Sequence, residues 1–217
     1  KKLIQNKLEQ IKKNINKSVT LVAVSKTKPV DDILKLYKDG QLDFGENKVQ
    51  ELLIKQEKLP KEIKWHMIGH LQRNKVRSIL PFIYMIHSVD SLRLINKINL
   101  EAKKINRKIK ILLQVKISPE ISKYGFDFNE IERILESDKL DYYDYVKVEG
   151  LMGMATFTKD KSIIDSEFNN LHKLFNSFKA KHKLNVLSMG MSDDYKTAIK
   201  NGSTMLRLGS VIFGSRF

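Results

Sequence analysis

Eight short apolar runs constrain this chain of 217 residues more than any other feature. Each of the first seven is followed by a stretch of helical spacing, and none is joined to the next by a hairpin turn. The runs are Thr20–Ser25, Leu42–Phe44, Trp65–Ile68, Tyr84–Val89, Ile109–Ile117, Val148–Met154, Val186–Met189 and Met205–Leu208. Helical periodicity follows over Val30–Asp39, from Val49 to just before Pro60, and over Gln72–Leu80. It resumes from Asp90 to Ala102, over Glu130–Ser137, Ile164–His182 and Asp194–Lys200. One more amphipathic helix precedes the first run, with Leu3, Ile4, Leu8, Ile11 and Ile15 on one face. Strand–helix alternation implies a parallel sheet, and eight units predict closure into a (β/α)8 TIM-type barrel. The expectation is a single α/β domain over residues 1–217 with an extra N-terminal helix. An open doubly wound sheet is the alternative, but the turn after the first run, Ser25-Lys26-Thr27-Lys28, lacks the glycines of a dinucleotide-binding turn.

Charge matters next because it points toward nucleic acid. Lys and Arg number 40 against 25 Asp and Glu, a net charge of +15. The cations are mostly lysine and scatter along expected outer helix faces, as at Lys12, Lys13, Lys55, Lys58, Lys103, Lys104, Lys179, Lys181 and Lys183. No arginine-rich arm or aromatic-interleaved strand accompanies them. A solvated lysine coat is the reading, with a polyanion surface as the alternative. The absence of cysteine rules out disulfides and thiolate metal sites and agrees with a cytoplasmic location. No apolar run approaches the roughly 20 residues that span a bilayer. The sequence opens at Lys1 rather than Met, so residues ahead of it are expected.

Chemistry in such a barrel gathers at the C-terminal ends of the strands. Those ends carry Lys26, Asn47, His66 to His70, Ser88, Gln114, Met152, Ser188 to Ser192 and Arg207 to Ser210. His66 and His87 lie within strands and read as packed core. The turns after runs seven and eight, Ser188-Met189-Gly190-Met191-Ser192 and Gly209-Ser210, suit a phosphate, which backbone N–H groups bind without side-chain charge. Ser192 reads as a helix cap. Lys26, next door in a closed ring, is a candidate for condensing with an aldehyde to a Schiff base. Arg207 is a candidate partner for a pyridine nitrogen, to which it donates without giving up its proton.

These residues sit in a longer pattern. It includes Ala23-Val24-Ser25-Lys26-Thr27-Lys28, Phe44-Gly45-Glu46-Asn47, Trp65-His66-Met67-Ile68-Gly69-His70-Leu71-Gln72 and His87-Ser88-Val89-Asp90. It continues through Gln114-Val115, Lys123 with Gly125, Gly150-Leu151-Met152, Leu187-Ser188-Met189-Gly190-Met191-Ser192, and Arg207-Leu208-Gly209 with Ile212-Phe213-Gly214. In this order, over nearly the whole chain, the pattern resembles the pyridoxal phosphate homeostasis proteins of YggS/PROSC type. The resemblance implies the barrel of the alanine racemase N-terminal domain and one pyridoxal 5′-phosphate (PLP) on Lys26. By position it implies Arg207 at the ring nitrogen, Asn47 near the ring, and Ser188, Gly209 and Ser210 at the phosphate. It implies a protein that carries or buffers the cofactor. The expectation is a monomer serving PLP-dependent apoenzymes, with little or no amino-acid turnover because Arg207 leaves the ring nitrogen unprotonated. Lys48 and Lys116 depart from the family's usual residues and add positive charge near the mouth.

Two other functions compete. An amino-acid racemase of this barrel adds a C-terminal β-domain and a tyrosine base from a dimer partner, and with ten residues after Arg207 that domain is not expected here. A Schiff-base aldolase would be expected to carry its lysine on the sixth strand, which ends in Leu151-Met152-Gly153.

Overall fold

The computed structural model describes residues 3–120 and 124–214, so Lys123 lies outside the described residues. Eight parallel strands close into a barrel in chain order. They are β1 (Thr20–Val24), β2 (Asp43–Glu46), β3 (Lys64–Met67), β4 (Met85–Val89), β5 (Ile109–Val115), β6 (Val146–Gly153), β7 (Val186–Ser188) and β8 (Met205–Leu208). The ring shuts where β1 pairs with β8 from Thr20↔Met205 to Ala23↔Leu208. That register puts the end of the first strand beside the end of the last, 184 residues apart in sequence (208 minus 24).

The helices are α1 (Leu3–Asn14), α2 (Val30–Lys38), α3 (Val49–Lys58), α4 (Val76–Ile79), α5 (Leu92–Lys104), α6 (Phe128–Glu136), α7 (Lys161–His182), α8 (Tyr195–Lys200) and α9 (Ser210–Phe213). Two differ from expectation. The helix expected over 72–80 is a 3-10 turn, Arg73–Lys75, running into the single turn of α4. Ser78 bonds the Lys75 carbonyl there, one of the local side-chain bonds that compete with a longer helix. The one-turn α9 directly after β8 has no periodicity to announce it, being too short to show any.

The main core lies between the barrel and its helices, with Ile33, Leu36, Leu52, Ile79, Ile98, Ile131, Phe168 and Leu171 buried against the strands' outer faces. A smaller cluster fills the barrel lumen: Val22, Met85, Leu112, Met152 and Met205. Parallel strands covered on both faces read as continuous apolar runs, which is why the eight runs stood out. Among the described residues no helix is long and apolar enough to cross a membrane.

Candidate functional site

A cavity of roughly 300 Å³ opens at the C-terminal mouth of the barrel. Lys26, Asn47, Arg207, Gly209 and Ser210 all line it, as do Lys28, Met154, Phe157, Met191 and Ser192. Five of the six residues singled out from sequence therefore meet on one wall. Ser188 does not line it. It is fully buried below, where its hydroxyl accepts from Arg207 at 2.6 Å and faces His87 Nδ1 at 3.2 Å. The chain turns through Gly190 at φ +103°, where an added Cβ would sit 2.6 Å from the Ala198 side chain, and carries Ser192 to the cavity instead. Ser192 is not the helix cap expected of it. Its Oγ accepts from the Gly209 and Val211 amides at 3.2 and 3.3 Å, tying the turn after β7 to the turn after β8.

Lys26 stands just past β1, half-buried, between two clamped neighbours. Lys55 Nζ donates to the Ser25 carbonyl at 2.7 Å, to Glu46 at 2.7 Å and to Glu51 at 2.6 Å. Ser25 Oγ donates to Glu46, and the Thr27 amide to Glu51, each at 2.6 Å. Thr27 is held at φ 65°, a conformation that costs a β-branched residue energy and persists only where its surroundings enforce it. Lys55 is therefore no part of the solvated coat; it is buried, 4% exposed. A signal existed: Val49, Leu52 and Lys55 recur every three residues on one helix face. Burial raises the Glu46 pKa, and the hydrogen bond from Lys55 and then that from Ser25 oppose the rise.

Asn47 follows β2, and its backbone packs so tightly on Gly69 that a Cβ there would lie 2.2 Å from the Asn47 carbonyl oxygen. The Asn47 side-chain oxygen is buried without a hydrogen-bond partner. Arg207 is 3% exposed and spends two donors, one on Ser188 and one on the Gly153 carbonyl at 3.1 Å. Burial pulls its guanidinium down to about 10, with Asp194 opposing, so it stays charged at neutral pH. Lys28 leans on the Gly214 carbonyl at 3.5 Å. Neither Lys48 nor Lys116 lines the cavity. One amine between clamped residues, two further cations, amides of the 209–211 turn and an orphaned acceptor together suit a small anionic carbonyl compound.

The alanine racemase N-terminal domain model matches residues 2–217. A pyridoxal phosphate homeostasis protein of Pasteurella multocida is 35% identical over 231 aligned residues, covering 98% of this chain and 97% of that protein. The chain belongs to this family. A solved structure similar to this chain is PipY of Synechococcus elongatus PCC7942, known without and with PLP bound. It superposes with TM-scores of 0.92 and 0.88 at 34% and 32% identity, over 97% of this chain and 100% of PipY. An alanine racemase of Clostridium difficile 630 superposes with a TM-score of 0.81 at 16% identity, over 99% of this chain and 57% of the racemase, which is a likeness of fold alone.

Proposed function

We propose that this chain binds PLP, attaches it to Lys26 and holds it in the cytoplasm for PLP-dependent apoenzymes, as a monomer with little or no amino-acid turnover. The observation that carries the reading is the convergence of Lys26, Asn47, Arg207 and the 209–211 turn on one cavity. The donor set fits the cofactor. Asn47 Oδ1 is an unsatisfied acceptor that a ring hydroxyl would satisfy, and leaving such an atom buried without a partner is costly. Lys28 lines the same cavity and supplies cationic charge for a phosphate dianion. When bound, PLP supplies an aldehyde for a lysine amine and a ring that can draw electrons from an attached amine.

The chain's own residues do the remaining work. Lys26 supplies the amine, and the Lys55 clamp keeps its backbone in place. Arg207 has donors only, so facing the ring nitrogen it leaves that nitrogen unprotonated and weakens electron withdrawal. The Ser192 hydroxyl, fixed by the Gly209 and Val211 amides and lining the cavity beside Gly209 and Ser210, is the donor assigned to the phosphate. Ser192→Ala is expected to weaken PLP binding roughly ten- to a hundredfold, since a hydrogen bond to a charged group is worth about 1.5–3 kcal/mol. Equilibrium titration with PLP checks this, and an unchanged affinity would place the phosphate elsewhere.

Low turnover is the expected consequence of Arg207 at the ring nitrogen, because a ring left unprotonated there is a weaker electron sink. The test is incubation of the PLP-loaded protein with L- or D-alanine in deuterated water. Exchange of the α-proton far below the ~1–10³ per second of ordinary enzymes is expected. Rapid exchange with loss of optical rotation would restore the racemase reading.

A further inference from the structure

A line of hydrogen bonds crosses the barrel lumen from one mouth to the other. It begins at Asp43, which helps line a second cavity where all eight strands start, among Lys64, Tyr84, Lys110, Lys147 and Glu149. Asp43 Oδ1 meets His66 Nε2 at 2.9 Å, and His66 Nδ1 meets His87 Nε2 at 2.9 Å. His87 Nδ1 meets Ser188 Oγ at 3.2 Å, and Ser188 Oγ takes a bond from Arg207 at 2.6 Å. Both imidazoles and Ser188 are wholly buried.

The two ends fix the direction of every link. Guanidinium can only donate, so Ser188 Oγ accepts from Arg207. With both imidazoles neutral, the Asp43 carboxylate at the other end, which can only accept, requires the Ser188 proton to point to His87 Nδ1. A neutral His87 then carries its proton on Nε2 and donates to His66 Nδ1. His66 in turn carries its proton on Nε2 and donates to the Asp43 carboxylate, which can only accept. One proton occupies each link, and reversing any single link leaves two donors or two acceptors face to face. Burial lowers the pKa of both histidines and holds them neutral. Asp43 opposes this at His66, while Lys64 and Lys110 add to it; at His87, His66 and Arg207 add to it.

We propose that Asp43, His66, His87 and Ser188 are positioning residues for Arg207, so that the far mouth of the barrel sets the orientation of the cation at the cofactor cavity. The inference rests on Arg207 facing the PLP ring, as proposed above. Its structural half needs no cofactor. In cofactor-free protein with ¹⁵N-labelled histidine, His66 and His87 are both expected as Nε2–H tautomers with shifts constant from about pH 6 to 8. An Nδ1–H tautomer or a titration of either ring would overturn the line. The functional half uses Asp43, which is outside the cavity. Asp43→Leu removes the terminal acceptor and is expected to weaken PLP affinity roughly three- to thirtyfold and shift the bound cofactor's absorbance maximum. Asp43→Asn keeps an acceptor oxygen and is expected to restore affinity to within about twofold of the parent. Unchanged affinity and absorbance in Asp43→Leu would overturn the proposal. Loss of borohydride-fixed PLP from the parent protein would instead overturn the cofactor reading and leave the tautomer result standing.

Discussion

Lys26→Ala is expected to take borohydride-fixed PLP from about one per chain to none, while the unfolding temperature stays within roughly 2 °C of the parent. Lys26 lies past the last residue of β1 and is half-buried, outside the barrel core, so its loss falls among substitutions worth about 0.5 kcal/mol or less. The chemistry has no substitute at that place, because an alanine offers no amine. Lys28 shares the cavity and is the natural control. Lys28→Ala is expected to keep the attachment, since Lys28 is directed to the Gly214 carbonyl. Mass spectrometry of the reduced, digested protein decides the matter. Cofactor found on Lys28 in the parent protein, or still fixed in Lys26→Ala, refutes the assignment. Arg207, Asn47 and Ser192 remain in that variant, so weak reversible binding of PLP is expected to survive.

A large loss of stability is expected at Lys55, a buried charged residue outside the apolar core. Lys55→Met keeps the volume of the stem and removes the ammonium that bonds Glu46, Glu51 and the Ser25 carbonyl. Breaking a buried ion pair by deleting one partner costs about 3–5 kcal/mol, which for a chain of this size lowers the unfolding temperature by roughly 6–20 °C. The pH dependence tests the cause. Burial raises the Glu46 pKa above its ordinary 4.5, and Lys55 is the largest opposing influence. Without Lys55, native Glu46 holds its proton to higher pH than unfolded Glu46 does. The native state then binds more protons than the unfolded state above about pH 4.5, so stability falls as pH rises through the native value. The deficit relative to the parent is therefore expected to be largest near pH 8 and to shrink near pH 5.5. Thermal melts of both proteins at the two pH values measure it, and an equal deficit at both would show that Glu46 is not its source. Reduced attachment of PLP in the same variant is expected too, because Ser25 and Thr27 lose their tethers on either side of Lys26.

The barrel and most of its C-terminal mouth are legible in the sequence. Eight apolar runs separated by helical stretches have one economical solution when every strand is parallel and covered on both faces. Once the ring closes, strand ends converge whatever their distance along the chain. That is why Lys26, Asn47, Arg207, Gly209 and Ser210 could be gathered from sequence and are found on one wall. The pattern could not separate Ser188 from Ser192. Both follow β-branched or apolar residues in the same turn, and only the reversal through Gly190 sends one hydroxyl to the lumen and the other to the cavity. Nor could it lift Lys55 out of a lysine-rich composition. A lysine is buried only where acceptors converge on it, and here they come from β2, α3 and the end of β1. The line from Asp43 to Arg207 was the least legible. His66, His87 and Ser188 read singly as packed core residues or loop hydroxyls, and their meaning lies in atoms brought together across 21 and 101 residues of chain. Periodicity records which face a residue occupies; only the closed barrel decides which polar atoms meet inside it, because a buried donor must find an acceptor wherever the tertiary fold provides one.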